Sequence, residues 1–191
     1  MNAPAAAIVG LAWLVFIIVW IFAALGAKRT ARRVSWWRSA IFRWAAIIAI
    51  VVFLKQPGVE EFLSGIASPP FFANPIVSWI GAACAVAGIA LSIWARAYLG
   101  RNWGMPMSLK ESPELVTSGP YASIRHPIYA GVLLAILGSA LVISYWWIVF
   151  VVSAAYFIYG ARTEEKIMTR EFPDQYPAYK ARTKMLIPCI F

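Results

Sequence analysis

Long apolar runs constrain this chain more than any other feature. From Ala5 to Ala27, and again from Ile76 to about Leu99, almost every residue prefers hydrocarbon to water. Runs of about 20 such residues read as helices crossing a bilayer, because a helix satisfies its own backbone where no water can. The chain is 62% hydrophobic and only 13% charged. A soluble domain is nearer half apolar and a quarter charged, so that class is excluded. The length of 191 residues allows one compact bundle. The net charge of +9 could point to nucleic acid. The cations lie in the links between apolar runs, however, where topology and lipid headgroups account for them, and no nucleic-acid partner is expected.

The spans follow in order. Ala5 to Ala27 has its cations after the apolar core, the reverse of a secretory signal peptide, so it is expected to remain as a helix. Lys28, Arg29, Arg32, Arg33 and Arg38 follow with no acid among them, which marks a cytoplasmic link. A short second span is expected from about Ser39 to Leu54. The link from Lys55 to Pro75, with Glu60 and Glu61 and several prolines, reads as an outside loop. In the third span Gly81 and Ala85, and Cys84 and Gly88, are four apart, which lets a neighbouring helix come close.

The apolar stretch from Ile128 to Ala161 would reach roughly 50 Å as one helix, against a hydrocarbon core of about 30 Å. Ser144, Tyr145, Trp146 and Trp147 near its middle read as an interfacial turn. The expectation is a hairpin of two short helices with a cytoplasmic tail from Arg162 to Phe191. The fold class is all-α integral membrane protein, with about five transmembrane helices, the N-terminus outside and the C-terminus cytoplasmic. Residues 1–99 form a three-span membrane region. Residues 100–191 form the catalytic region of connector, hairpin and tail, one compact unit. The expected setting is a bacterial or archaeal inner or plasma membrane, or an endomembrane. Cys84 and Cys189 match no metal or redox pattern, and with a single histidine no protein-bound metal is expected.

Polar residues concentrate at two places, "ESPELVTSGPYASIRHPIYAG" over 111–131 and "ARTEEKIMTREFPDQYPAYKARTKMLIP" over 161–188. The hairpin makes them neighbours at one membrane edge. Pro127 suits the first turn of a helix, and a helix N-terminus favours anions, with Arg125 and His126 as added donors. The alternative is that these two only anchor headgroups. Arg162 and Glu165, three apart, share a helix face. Adjacent carboxylates near a bilayer are costly without a cation. Glu164 and Glu165 therefore either end a solvated helix beside Lys166 or hold a cationic ligand group. Tyr176, Tyr179 and the closing "LIPCIF" would form an aromatic and apolar flap.

"LVTSGPYASIRHPIYAG" followed by "RTEEKIMTREFPDQYPAYKART" resembles the isoprenylcysteine carboxyl methyltransferases and the related phospholipid N-methyltransferases, over roughly residues 95–188. The resemblance implies a membrane-embedded methyltransferase using S-adenosyl-L-methionine, with a cytoplasmic cofactor pocket. It implies that Leu115, Val116, Tyr121, His126, Pro127, Ile128 and Tyr129 surround the cofactor. Glu165, with Glu164 beside it, would hold the cofactor's amino group. Arg162 would face the methyl acceptor, and Arg162 and Glu165 would be the catalytic pair. Pro113 and Glu114 depart from the eukaryotic pattern, and the acidic run is shorter, which leaves the choice between Glu164 and Glu165 open by one position.

The implied partners are a lipophilic acceptor from the bilayer, such as an isoprenylcysteine-type carboxylate, and membrane lipids. Methyl transfer to a carboxylate cancels opposite charges, so a dry, aligned site does most of the work and no base is needed. An amine acceptor must first lose a proton, to His126 or a glutamate; phospholipid N-methylation is that alternative. "HPIYAG" and "YKARTKMLIPCIF" are also similar to membrane steroid reductases, which use NADPH, although Val132 follows Gly131 where those carry an acid. A non-catalytic lipid-binding or scaffold protein is the third reading.

Overall fold

The computed structural model describes residues 2–25, 56, 58–59, 61–62, 74–100, 114–143, 146–188 and 190. Five helices run through them: α1 (Ala3–Leu25), α2 (Pro75–Leu99), α3 (Pro127–Val142), α4 (Trp146–Glu171) and α5 (Tyr176–Arg182). A 3-10 turn over Gly119–Ala122 precedes α3. No strand is present among the described residues; a single parallel bridge joins Ile124 to Lys184. The chain is the all-α integral membrane protein its sequence announces. Three of these helices, α1, α2 and α4, are long and apolar enough to cross a bilayer. The second expected span, 39–54, lies outside the described residues.

The bundle is organised around α2 and α3. Asn74 caps α2 by accepting from the Ile76 N–H at 2.9 Å, with Pro75 in the first turn. The two helices run antiparallel with glycines seven apart on both. A Cβ on Gly88 would sit 2.4 Å from the Gly131 carbonyl oxygen, and one on Gly138 would sit 2.4 Å from that of Gly81. The backbones are therefore in direct contact. The close approach expected at Gly81, Ala85 and Gly88 is met by Gly131, Ala135 and Gly138. Ser92 Oγ sits in the seam and donates to the Gly88 carbonyl at 3.0 Å. In hydrocarbon, where apolar burial no longer favours one helix contact over lipid, small residues gain dispersion contacts that larger ones would prevent.

Helix α1 lies beside α2 and runs parallel to it. Ala5 and Val9 pack with Ala82, Ala85 and Val142, and Ala12 with Ile89 and Ala135. Its outer face, Leu14, Ile17, Ile18, Ile21 and Phe22, stays exposed as a lipid-facing surface should. Trp13 Nε1 donates to Ser139 Oγ on α3 at 3.0 Å. Arg96, only 5% exposed, closes the far end. Its guanidinium donates to the carbonyls of Ala23 and Gly100, both at 2.6 Å. One cation thus satisfies a carbonyl at the end of α1 and another just past the end of α2.

The hairpin turn expected at Ser144–Trp147 falls between Val142 and Trp146; Ser144 and Tyr145 themselves lie outside the described residues. Helix α3 is short, as expected, but α4 is not. It has 26 residues and carries "RTEEKIMTRE" as helix rather than as a tail. Glu, Lys, Met and Arg are good helix formers and no proline appears before Pro173, so nothing stops the helix at the membrane edge. The α2–α3 seam crosses residue 100, so the packing continues from the first region into the second.

Substitutions at the seam test this arrangement. Gly88→Ala and Gly131→Ala should each cost about 1–3 kcal/mol by forcing backbones apart. Gly10→Ala, where no atom lies within 4 Å of the new methyl, should cost nothing. Thermal unfolding in detergent reads the difference. An unchanged midpoint in Gly88→Ala would mean that the two backbones do not touch.

A candidate active site at the end of the bundle

The site forms where α2 ends, α3 begins and α4 leaves the apolar zone. Gly119 sits at φ 59°, and a Cβ there would lie 2.4 Å from the Tyr98 ring. Only glycine fits both the left-handed backbone and the space. This turn buries Pro120 and Tyr121. The chain then runs through Ser123–His126 against the tail. The Arg125 and His126 N–H groups donate to the carbonyls of Lys184 (2.8 Å) and Met185 (3.0 Å), and the Lys184 N–H donates to Ser123 at 3.2 Å. Pro127 then opens α3, fully buried.

Three further contacts fasten the tail. Tyr179 Oη donates to the Tyr121 carbonyl at 2.7 Å. Arg125 Nη1 donates to the carbonyls of Lys180 (3.2 Å) and Thr183. Tyr176 and Tyr179 are 3% and 4% exposed, so they are walls of the site rather than the loose flap expected of them. Burial pushes the Tyr179 phenol up to about 12, with Arg125 and Arg182 pulling the other way.

The charged residues form one cluster. Glu165, 4% exposed, takes Arg125 Nε on Oε1 at 2.6 Å and Lys180 Nζ on Oε2 at 2.7 Å. Glu164, one residue earlier, turns the other way. Tyr129 Oη donates to its Oε1 at 2.5 Å, and His126 Nδ1 is 3.4 Å from its Oε2. The His126 ring stacks on Tyr129 with planes 9° apart, and Tyr129 packs on Phe157. His126 Nε2 is 3.7 Å from Glu165 Oε1, a charge contact too long for a hydrogen bond, and it makes none among the described residues. Burial alone would depress the imidazole. The two glutamates, Glu164 first, outweigh it and hold His126 above its ordinary value.

A groove of about 330 Å³ runs along the outer side of this cluster, lined by Arg162, Glu165, Lys166, Thr169, Lys180 and Met185. Arg162, Lys166 and Thr169 recur at helical spacing on α4, while Lys180 and Met185 come from the tail. The structure therefore brings Tyr121, His126, Tyr129, Glu164 and Glu165 together, with Arg162 beside Glu165 on the α4 wall of the groove. Leu115 and Val116 lie half-buried in the segment leading into the turn, and Ile128 is half-buried with its carbonyl accepting from Ser92 at 3.3 Å. Sequence reasoning missed Lys180 and Thr183, and offered Arg125 as a ligand donor where it is an internal partner of Glu165. The only available signal was the run of cations in "YKARTK", which marks no particular residue.

Residues 76–175, just over half of the chain, match the phospholipid methyltransferase family. Among curated proteins, a nickel-cobalt-cadmium resistance protein of Alcaligenes xylosoxydans xylosoxydans is 32% identical over 155 residues, covering 79% of this chain and 65% of the relative. Phosphatidylethanolamine N-methyltransferase B of Dictyostelium discoideum is 32% identical over 109 residues, 54% of each chain. Methanethiol S-methyltransferase 1 of Bradyrhizobium diazoefficiens is 33% identical over 76 residues, 40% of this chain and 27% of the relative. The chain thus spans less than two thirds of the length of these relatives.

The single histidine makes the electrostatics testable. His126 has its pKa raised in the folded state. Its contribution to stability is therefore full below the unfolded value of about 6.5 and is lost as pH rises through the folded value. Thermal stability in detergent should decline over that window, and His126→Gln should flatten the decline. An identical pH slope in the variant would contradict the charged imidazole.

Proposed function

The chain belongs to the phospholipid methyltransferase family, and from that premise we propose that it moves a methyl group from S-adenosyl-L-methionine to a lipophilic acceptor in the bilayer. One observation carries this reading. A partly exposed carboxylate, Glu164, and a groove rich in cations lie on neighbouring faces of α4 where that helix leaves the apolar bundle. The cofactor supplies, when bound, a methyl group on a positive sulfonium together with an ammonium and a carboxylate. The residues present fit such a zwitterion. The Glu164 side chain is 24% exposed and suits the ammonium. The buried His126 Nε2 has no hydrogen-bond partner among the described residues; in the protonated ring it would suit an anionic group. Tyr121, Tyr129, Pro127 and Ile128 would wall the cofactor, with Leu115 and Val116 adding apolar contact.

Arg162 would hold the acceptor. Its planar fork matches a carboxylate or phosphate oxygen pair, and it makes no ion pair among the described residues. Lys166 and Lys180 add positive charge along the same groove. The residues' work is to bind, align and exclude water. An isoprenylcysteine-type carboxylate needs no base. A phospholipid amine is the second reading, favoured by the phosphatidylethanolamine N-methyltransferase among the relatives. It would have to give up a proton, and Glu164, 24% exposed, is the candidate base. The positive first link argues for a cytoplasmic site, with the N-terminus on the opposite side.

Ligand-dependent thermal stabilisation tests the class. S-adenosylhomocysteine should raise the unfolding midpoint, and NADPH should not. Stabilisation by NADPH alone would replace this reading with a reductase. Within it, Glu164→Gln should weaken S-adenosylhomocysteine binding by about 1.5–3 kcal/mol. Arg162→Ala should keep that affinity while turnover falls at least about tenfold, about 1.4 kcal/mol. A variant that loses the cofactor instead would move Arg162 from the acceptor side to the cofactor side.

A further inference from the structure

The outer face of α4 changes character along its length, and the change matches one class of molecule. Val152, Ala155 and Tyr159 are exposed at helical spacing, and the same face runs on without a break through Arg162, Lys166 and Thr169. We propose that this face seats the methyl acceptor as a lipid whose headgroup carries net negative charge, with its chain along residues 152–159 and its headgroup in the cation groove. That the lipid is the acceptor rests on the methyltransferase reading; that such a lipid binds here does not.

At 1.5 Å per residue, Val152 lies roughly 15 Å from Arg162 along the helix, half of a hydrocarbon core of about 30 Å. The apolar part of the face is thus one leaflet deep, the reach of one lipid chain. Val152 and Tyr159 are 62% and 66% exposed. A face that receives a helix looks different in this chain: where α2 and α3 meet, glycines clear the way for backbone contact. On α4 the valine and the tyrosine stand out from the helix instead. A flexible chain can follow such a surface, where a second helix would be held off.

Charge selects the headgroup. Arg162, Lys166 and Lys180 face a single carboxylate, Glu165, in the lining of the groove. That carboxylate is already engaged, by Arg125 Nε at 2.6 Å and Lys180 Nζ at 2.7 Å. Thr169 Oγ1 donates to the Glu165 carbonyl at 2.7 Å, so its hydroxyl closes the groove rather than offering it a hydrogen. Arg162 and Lys166 make no ion pair among the described residues. They stand four apart on one helix, where like charges repel each other. An anion between them relieves that repulsion and gains attraction from both. A zwitterionic headgroup would bring its ammonium against the same cations, which offsets part of the gain.

Photolabelling in vesicles of defined composition tests the seat. Phosphatidylglycerol and phosphatidylcholine carrying the same diazirine chain are each placed, at equal mole fraction, in phosphatidylcholine vesicles holding the protein, and adducts are located by peptide mass spectrometry. The phosphatidylglycerol probe should label residues 152–159 at least about fivefold more than the other, since a single cation near a membrane surface favours an anionic lipid by about that factor. Arg162→Ala combined with Lys166→Ala should abolish the preference. Arg182→Ala combined with Lys184→Ala, which removes two cations outside the groove, should keep it. Unlabelled phosphatidylglycerol should compete, and inorganic phosphate at the same concentration should not. The proposal is overturned by equal labelling with the two probes, by a preference that survives loss of Arg162 and Lys166, by an equal loss in the Arg182 and Lys184 pair, or by competition from phosphate. Absence of adducts on this face, as a protein segment or a second copy covering it would give, overturns it too. Methyl-labelled S-adenosyl-L-methionine added to vesicles that also hold natural lipid extract separates the two claims. Transfer to nothing removes the methyltransferase reading and leaves the seat to the photolabelling. Transfer only to zwitterionic lipids, with the preference for phosphatidylglycerol intact, places the acceptor elsewhere and overturns the substrate class.

Discussion

Backbone contact between α2 and α3 is the constraint on which the rest depends. Gly81, Gly88, Gly131 and Gly138 leave no room for a Cβ between the helices. The antiparallel seam fixes the start of α3 beside the end of α2 and so fixes where His126 and Tyr129 stand. Arg96 secures the same end by tying the final carbonyls of α1 to those beyond α2. Helix α4, by contrast, buries only Gly160, Ala161 and Glu165. Its polar half is held less by apolar packing than by charge and by the tail.

That charge cluster is expensive to build at a membrane edge, and its arrangement shows how the cost is contained. Removing Glu165 from water is offset by two cations in direct contact and a third nearby. The His126 imidazole is held above its ordinary pKa, against the effect of burial, because both glutamates face it. Arg162 and Lys166 stand apart, on the groove side of α4, with no ion pair among the described residues. An internally balanced half beside an unbalanced positive half is an arrangement suited to a ligand that brings its own negative charge.

Much of this was legible in the sequence because it is local. The apolar runs gave α1, α2 and the hairpin. The four-residue spacings Gly81–Ala85 and Cys84–Gly88 exposed the close helix contact. Pro127 marked the start of α3, and the two polar stretches at the hairpin ends became the site. What was not legible is either long-range or a matter of side-chain choice. No periodicity reveals that Arg125 turns inward to Glu165, or that Lys180, 15 residues beyond Glu165 in the chain, reaches back to it. Helix was read as far as Arg162 and Glu165, but its continuation to Glu171 was missed because polarity was taken as the end of the helix, when it was only the end of the hydrocarbon. The expected second span lies outside the described residues, so the sequence alone speaks for it.

The central claim is methyl transfer from a polar cofactor to an acceptor dissolved in the bilayer. The most direct measurement supplies methyl-labelled S-adenosyl-L-methionine to membranes holding the protein and follows the label by mass spectrometry of the lipid extract. The account predicts a labelled lipid species that depends on the protein and disappears in Glu164→Gln and Arg162→Ala. A lipid extract without label, with methylation confined to water-soluble products, would contradict it.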